Sequence, residues 1–322
     1  MTRPGCSLKQ DTAVSWINFR SLPVVLILIL VFTSSTGCGS SEGSSEKIVF
    51  RSNRTGNYEI YSINPNGTGL QQLTFDDGDD SEPSLAPNGR IVFHSDRDGA
   101  VEIYSMDLDG GNVKQVTDND ARDSHPEWSP DGRLIAFQRY VFWGNDEVYV
   151  MNSDGSSARN LTNTLLEQEL WPSWSPDGSR IFFCRGGDIY VVGVNGSGLS
   201  QLTTGTDWDY SPSCSPDGTT ITFNRYSQIF LMDLDGSNIR QVVYVFEGSS
   251  SDWEPVFSPD GSQIIFVRSE SNGSRLMIVN VDGSNARDLT GLQPGFYNTC
   301  PDWKRVHILP VVTHFPTAPG NG

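Results

Sequence analysis

From residue 47 onward the sequence repeats itself, and the length of the repeat constrains the fold more than any other feature. The string Pro-x-apolar-Ser-Pro-Asp-Gly runs from Pro126 to Gly132, Pro172 to Gly178, Pro212 to Gly218 and Pro255 to Gly261. A variant, PSLAPNG, spans Pro83 to Gly89, and a truncated copy stands at Pro301-Asp302-Trp303. Successive first prolines are 43, 46, 40, 43 and 46 residues apart. A period of this length that holds several short strands marks a propeller blade.

Each unit reads as four strands. The first is the Pro-x-Trp piece. Ser-Pro-Asp-Gly then makes a hairpin turn, since Pro supplies the fixed φ of the first central position and Gly takes the left-handed place after Asp. The second strand alternates as Ile-x-Phe: Ile48/Phe50, Ile91/Phe93, Ile135/Phe137, Ile181/Phe183, Ile221/Phe223 and Ile264/Phe266. A continuous apolar run follows, such as Ile103 to Met106 or Val148 to Met151, as expected of a strand covered on both faces. An Asp-x-Asp-Gly or Asn-x-Asp-Gly turn leads to a short fourth strand ending in Leu-Thr or Val-Thr, from which Val242-Val243 departs. Six copies of every strand result if Pro301 to Trp303 joins the strands that begin at Ile48. Both chain ends then close the ring, and no long sheet edge stays open. The expected fold is all-β, a six-bladed propeller over residues 47 to 303.

These strings, SPDG, IY followed by D-x-D-G, and LT before P-x-W, resemble the WD-like repeat of the TolB family of propellers. The resemblance covers residues 47 to 303 and implies a fold more than a function. The family's best-known member carries an N-terminal α/β domain before the propeller, where this chain has the stretch from residue 38 to 46. What that domain does in the Tol envelope system is not carried over.

Composition agrees with an all-β reading, for 32 Gly and 18 Pro suit turns rather than long helices. The N-terminus reads as an export signal. Arg3, Lys9 and Arg20 precede an apolar run from Leu22 to Phe32, too short to span a bilayer as a helix. Ser35-Thr36-Gly37-Cys38, followed by a Gly/Ser/Glu-rich stretch, resembles the lipobox of bacterial lipoproteins, with Ser35 where that family usually has Leu. The resemblance implies a signal over residues 1 to 37, a lipid on Cys38, a tether to residue 46 and attachment to a membrane. The net charge is −17, and loss of residues 1 to 37 takes it to −19. Such a field repels phosphate backbones, and no Lys/Arg cluster offsets it, so nucleic acid is not an expected partner. Cys6 lies in the signal, and Cys184, Cys214 and Cys300 lack metal-like spacing and read as small buried residues.

Catalytic motifs are absent in usable form. Gly39 to Gly43 matches G-x-S-x-G but lies in the tether, away from any strand-turn-helix. His94, His125, His307 and His314 show no zinc spacing. The Asp-x-Asp-Gly turns lack the further oxygen ligands of a calcium loop, so turn chemistry accounts for them. No cofactor and no metal are expected.

Two surface patterns remain. Three residues before each first proline stand Asp80, Asp123, Glu169, Asp209, Asp252 and Asn298, a ring at the channel. The a-b hairpin sets them beside Ser95, Arg139, Arg185, Arg225, Arg268 and Ser52, which favours structural ion pairs over a cation site. Asp80 faces a serine, with Arg97 within reach. Together with Asp76, Asp77, Asp79 and Glu82 it forms the strongest local negative patch. Trp128, Trp174 and Trp303 occupy a core position of the repeat, whereas Trp171, Trp208, Tyr210, Trp253, Phe296 and Tyr297 lie in loops entering blades. Phe142 and Trp143 share that rim. Loops on a rigid scaffold carry binding residues, and aromatic rims take peptides or sugars. The sequence therefore points to a monomeric, non-enzymatic envelope protein that binds a protein or peptide at the acidic, aromatic channel face. A carbohydrate-binding or carbohydrate-active propeller using the same carboxylates and tryptophans is the alternative.

Overall fold

A computed structural model describes residues 43–141, 145–164, 167–242, 250–291 and 293–308. Cys38, Phe142 and Trp143 lie outside them. The chain forms six sheets of four antiparallel strands, here called strands a to d from the channel outward. Blade 1 takes its strand a from the C-terminal segment Asn298–Ile308 and strands b, c and d from Gly43–Ser52, Glu59–Ile63 and Gln71–Gln72. The six-bladed fold and its closure by both chain ends thus stand as expected. The closing pair is longer than the repeat marks, reaching from Ser52↔Asn298 to Gly43↔Ile308, so residues 43–46 and 304–308 are strand. Val306 explains the extension: it is 1% exposed and packs with Val49, Leu85 and Ile91. Among the described residues no helix is long and apolar enough to cross a membrane.

The periodicity of strand b builds the core. Phe50, Phe93, Phe137, Phe183, Phe223 and Phe266 are all fully buried between neighbouring blades. Each such burial is worth about 1.5–3 kcal/mol. The Ser-Pro-Asp-Gly turns close alike: in blade 3 the Gly132 amide donates to the Ser129 carbonyl at 2.8 Å, and the Ser129 hydroxyl to Asp131 at 2.7 Å. The Asp-x-Asp-Gly glycines have a second cause besides their φ. A Cβ on Gly155 would meet the Val116 carbonyl oxygen of the preceding blade at 2.1 Å. The aspartates of these turns cap them, as when Asp154 accepts the Ser156 amide at 3.0 Å. Turn formation explains that motif.

Strand a begins earlier than its proline. In blade 3 it spans Asp123–Trp128 and pairs Asp123 with Arg139 and Trp128 with Ile135, with a bulge between Ser124 and Glu127. The same shift recurs in every blade. Proline has no N–H to give the ladder and disfavours the right-handed helical region in the residue before it. The chain answers with a left-handed residue just before each first proline: Glu82, His125, Trp171, Ser211, Glu254 and Cys300, with φ between 48° and 54°. Bulges re-aim side chains, and here they turn one residue per blade into the channel.

Candidate binding site at the channel face

The ring residues are locked away from the channel. Asp80, Asp123, Glu169, Asp209 and Asp252 are fully buried, and Asn298 is 1% exposed. Arg139 grips Asp123 through Nε and Nη2 at 2.7 and 2.6 Å, and Arg225 and Arg268 grip Asp209 and Asp252 alike. Arg185 donates to Glu169 at 2.8 Å. Where serine replaces arginine, an arginine two residues on takes over. Arg97 reaches Asp80 at 2.7 Å, and Arg54 donates to Asn298 at 2.7 Å. All six guanidinium groups stack on the strand-b phenylalanine of their blade at 5.2–5.6 Å. Arg54 escaped the sequence reading, although Ser52 with an arginine two positions later mirrors Ser95 and Arg97.

The negative patch is largely spent on local structure. Asp76 shares Arg97 with Asp80 at 2.7 Å. Asp79 accepts the Tyr58 amide at 2.9 Å, Asp77 is exposed, and Glu82 points into the channel. Glu59 lies beside Asp76 and Asp80. It accepts the Thr74 hydroxyl at 2.6 Å, and that hydroxyl accepts the Ile60 amide at 2.9 Å. This relay is what the recurrent Leu-Thr serves, and burial pushes the Glu59 carboxyl up to about 7.

The left-handed residues line a chamber of about 130 Å³. Its walls differ. Blades 6, 1, 2 and 3 supply Glu254, Cys300, Glu82 and His125, while blades 4 and 5 supply Trp171 and Ser211. Arg51 stands 3.4 Å from Glu82, donates to Thr299 and Ser81, and stacks on Tyr58 at 4.7 Å. Burial alone would raise the Glu82 carboxyl, but the charges of His125, Arg51 and His94 outweigh it and hold the group at about 2. Burial depresses both imidazoles, His94 to about 3, so at neutral pH the persistent positive charges are those of Arg51 and of Lys304, which pairs with Asp302 at 3.1 Å. Glu254 accepts the Cys300 amide at 2.6 Å, and burial followed by the Glu82 charge pushes it up to about 7. Burial also pushes the Cys300 thiol well up, which leaves it protonated. The sequence does not single out His125, Ser211, Glu254 or Cys300 as channel residues; their only signal there is that each precedes a repeat proline.

From the chamber an aromatic path leads outward. Trp171 meets Tyr210 edge-on at 5.1 Å between ring centres, and Tyr210 meets Trp208 at 5.9 Å. Trp208 is 61% exposed and lies 3.4 Å from where a Gly187 Cβ would sit. Phe75, Tyr140, Tyr226 and Tyr297 join it as exposed aromatics on the same face. The other large exposed apolar residues among those described, Leu70, Val113, Leu199 and Ile239, are aliphatic and flank the outermost strands. Trp253 behaves otherwise, half-buried against the core around Ile265 and Val267. Tyr226 and Ser227 form a tight b-c turn with φ of 52° and 61°, where blade 4 has Gly186 and Gly187. Non-glycine residues there cost about 1–2 kcal/mol each. Tyr226 and Asp207 are joined by a hydrogen bond. Strain of this kind clusters where a surface is used.

No curated protein matches the chain. Among solved structures it resembles the putative TolB of Agrobacterium tumefaciens, at 22% identity and a TM-score of 0.62 over 81% of this chain and 99% of that one. TolB of Acinetobacter baumannii gives 22% identity and a TM-score of 0.66 over 82% and 67%. Hydrazine synthase of Kuenenia stuttgartiensis gives 15% and 0.68, over 82% and 47%. At such identities the likeness is one of fold. The model of the TolB β-propeller domain matches residues 29–185 and 139–306, and the chain belongs to that family.

Proposed function

We propose that this chain is a non-enzymatic recognition protein of the cell envelope, exported and held at a membrane by lipid on Cys38, that grips a protein or peptide as a single propeller. Its channel face does the gripping. The observation that carries the reading is the run of touching aromatics from exposed Trp208 through Tyr210 to Trp171, ending in a small chamber lined by both apolar and charged residues. Exposed Trp and Tyr on a rigid frame supply large contact area at little entropic cost. The carbohydrate alternative would use two carboxylates free of arginine beside a tryptophan. The ring acids are each held by arginine and Glu82 lies beside Arg51, so that reading would rest on Glu127 and Glu254, which line the chamber with Trp171 and have no ion pair among the described residues.

Capture from envelope extract tests the proposal. The full chain is compared with Trp208→Ala/Tyr226→Ala and with Leu199→Ala/Ile239→Ala as an outer-rim control. A specific partner should be lost from the first variant and kept by the second. The same partners on all three proteins would sink the channel-face reading.

A further inference from the structure

We propose that the channel chamber is a subsite for one basic side chain of the partner, a guanidinium or ammonium group seated between Trp171 and the wall carrying Glu82 and Glu254. The inference rests on the channel face being the binding face and names what enters it.

The chamber is lined by three glutamates, Glu82, Glu127 and Glu254, by Asp302 and by Lys304; Lys304 is committed to Asp302 at 3.1 Å, and Arg51 pairs with Glu82 at 3.4 Å. Arg51 is committed to Glu82, to Thr299 at 2.6 Å and to Ser81 at 3.1 Å, and its face is covered by Tyr58. Glu254 keeps only the Cys300 amide at 2.6 Å and the Cys300 thiol at 3.7 Å, with no ion-pair partner among the described residues. The groups acting on it are Glu82, Arg51 and Cys300. His125 of blade 3 stands opposite it in the ring, and its imidazole is kept neutral by burial. Burial, followed by the charge of Glu82, pushes the Glu254 carboxyl up to about 7, and Arg51 offsets this only in part. A cation arriving beside Glu254 supplies a further positive charge and releases the proton. Trp171 also lines the chamber, and its indole is an aromatic partner for a cation. A cavity of about 130 Å³ equals the space of about four waters, which suits one extended side chain rather than a folded segment.

The probes are acetyl-Ala-Arg-Ala-amide and its citrulline counterpart, which has the same shape without the charge. Each is titrated calorimetrically into the full chain at pH 6 and pH 8. The arginine peptide should bind about tenfold tighter or better, as for a charged hydrogen bond in a partly dry site. The gap should widen at pH 8, where Glu254 is ionised. Glu254→Gln keeps an acceptor for the Cys300 amide, so it should melt as the parent does while losing both the gap and its pH dependence. Equal binding of the two peptides, no binding of either, or a Glu254→Gln protein that still discriminates overturns the inference. So does calcium chloride that displaces the arginine peptide at lower concentration than it binds, for the site would then belong to a metal ion. If the rim variant loses its partner while arginine and citrulline bind alike, the channel-face reading stands and only the subsite falls.

Discussion

Removing one arginine of the buried ring tests the construction of the whole scaffold. Arg139→Ala strips Asp123, which is fully buried, of two hydrogen bonds of 2.7 and 2.6 Å. The Asn119 side chain remains as a donor at 2.9 Å. An uncompensated buried charge costs about 3–5 kcal/mol, and the surviving donor places this case near the lower end. Loss of the guanidinium stacked on Phe137 and Tyr149, at 5.2 and 5.0 Å, adds about 0.5–1 kcal/mol. In a domain of this size 1 kcal/mol moves the melting temperature by about 2–4 °C, so a fall of about 7–15 °C is expected. Adding Asp123→Asn removes the charge and should recover about half of the loss, since blade 1 already has Asn298 in this place. Arg133→Ala is the control, because its ion pair with Asp131 is exposed and worth about 0–1 kcal/mol. Thermal unfolding followed by circular dichroism reads all three. If Arg139→Ala melts with Arg133→Ala, or the added Asp123→Asn recovers nothing, the ring is not what holds the inner strands.

The buried carboxyls predict a pH profile. Burial raises Glu59, Glu169 and Glu254 to about 7 and Glu127 to about 8. A carboxyl raised on folding stabilises below its unfolded pKa, and that contribution is lost as pH rises through the folded value. Melting temperature should therefore fall between pH 6 and pH 9, and a rise would contradict the burial assigned to these acids. Gly155→Ala meets both a left-handed φ of 88° and a carbonyl at 2.1 Å, whereas Gly186→Ala meets only a φ of 60°. The first should cost about 2 kcal/mol or more beyond the roughly 1 kcal/mol of the second in urea unfolding. Trp208→Ala should change stability by less than about 1 kcal/mol, for an exposed side chain, while abolishing capture of the partner. Comparable losses in both would make Trp208 a packing residue.

The sequence alone determined the blade count, the strand order and the closure, because a propeller is a one-dimensional repeat. Turn chemistry at Ser-Pro-Asp-Gly, period-two burial at Ile-x-Phe and the orphaned Pro301 to Trp303 are all local signals. It also foresaw the carboxylate–arginine pairs, since hairpin register is arithmetic about a turn. What it could not hold was direction. The channel residues stand two positions beyond the ring that the repeat displays, and a bulge at that point decides which of the two faces the channel. Glu82 therefore leaves its apparent cluster of aspartates for Arg51 of the neighbouring blade, and Cys300 of blade 1 meets Glu254 of blade 6. Trp208 and Trp253 look alike in sequence, yet one is exposed on the rim and the other packs against the core between blades 6 and 1. Contacts between blades depend on how six sheets stack, and only the closed ring sets that stacking.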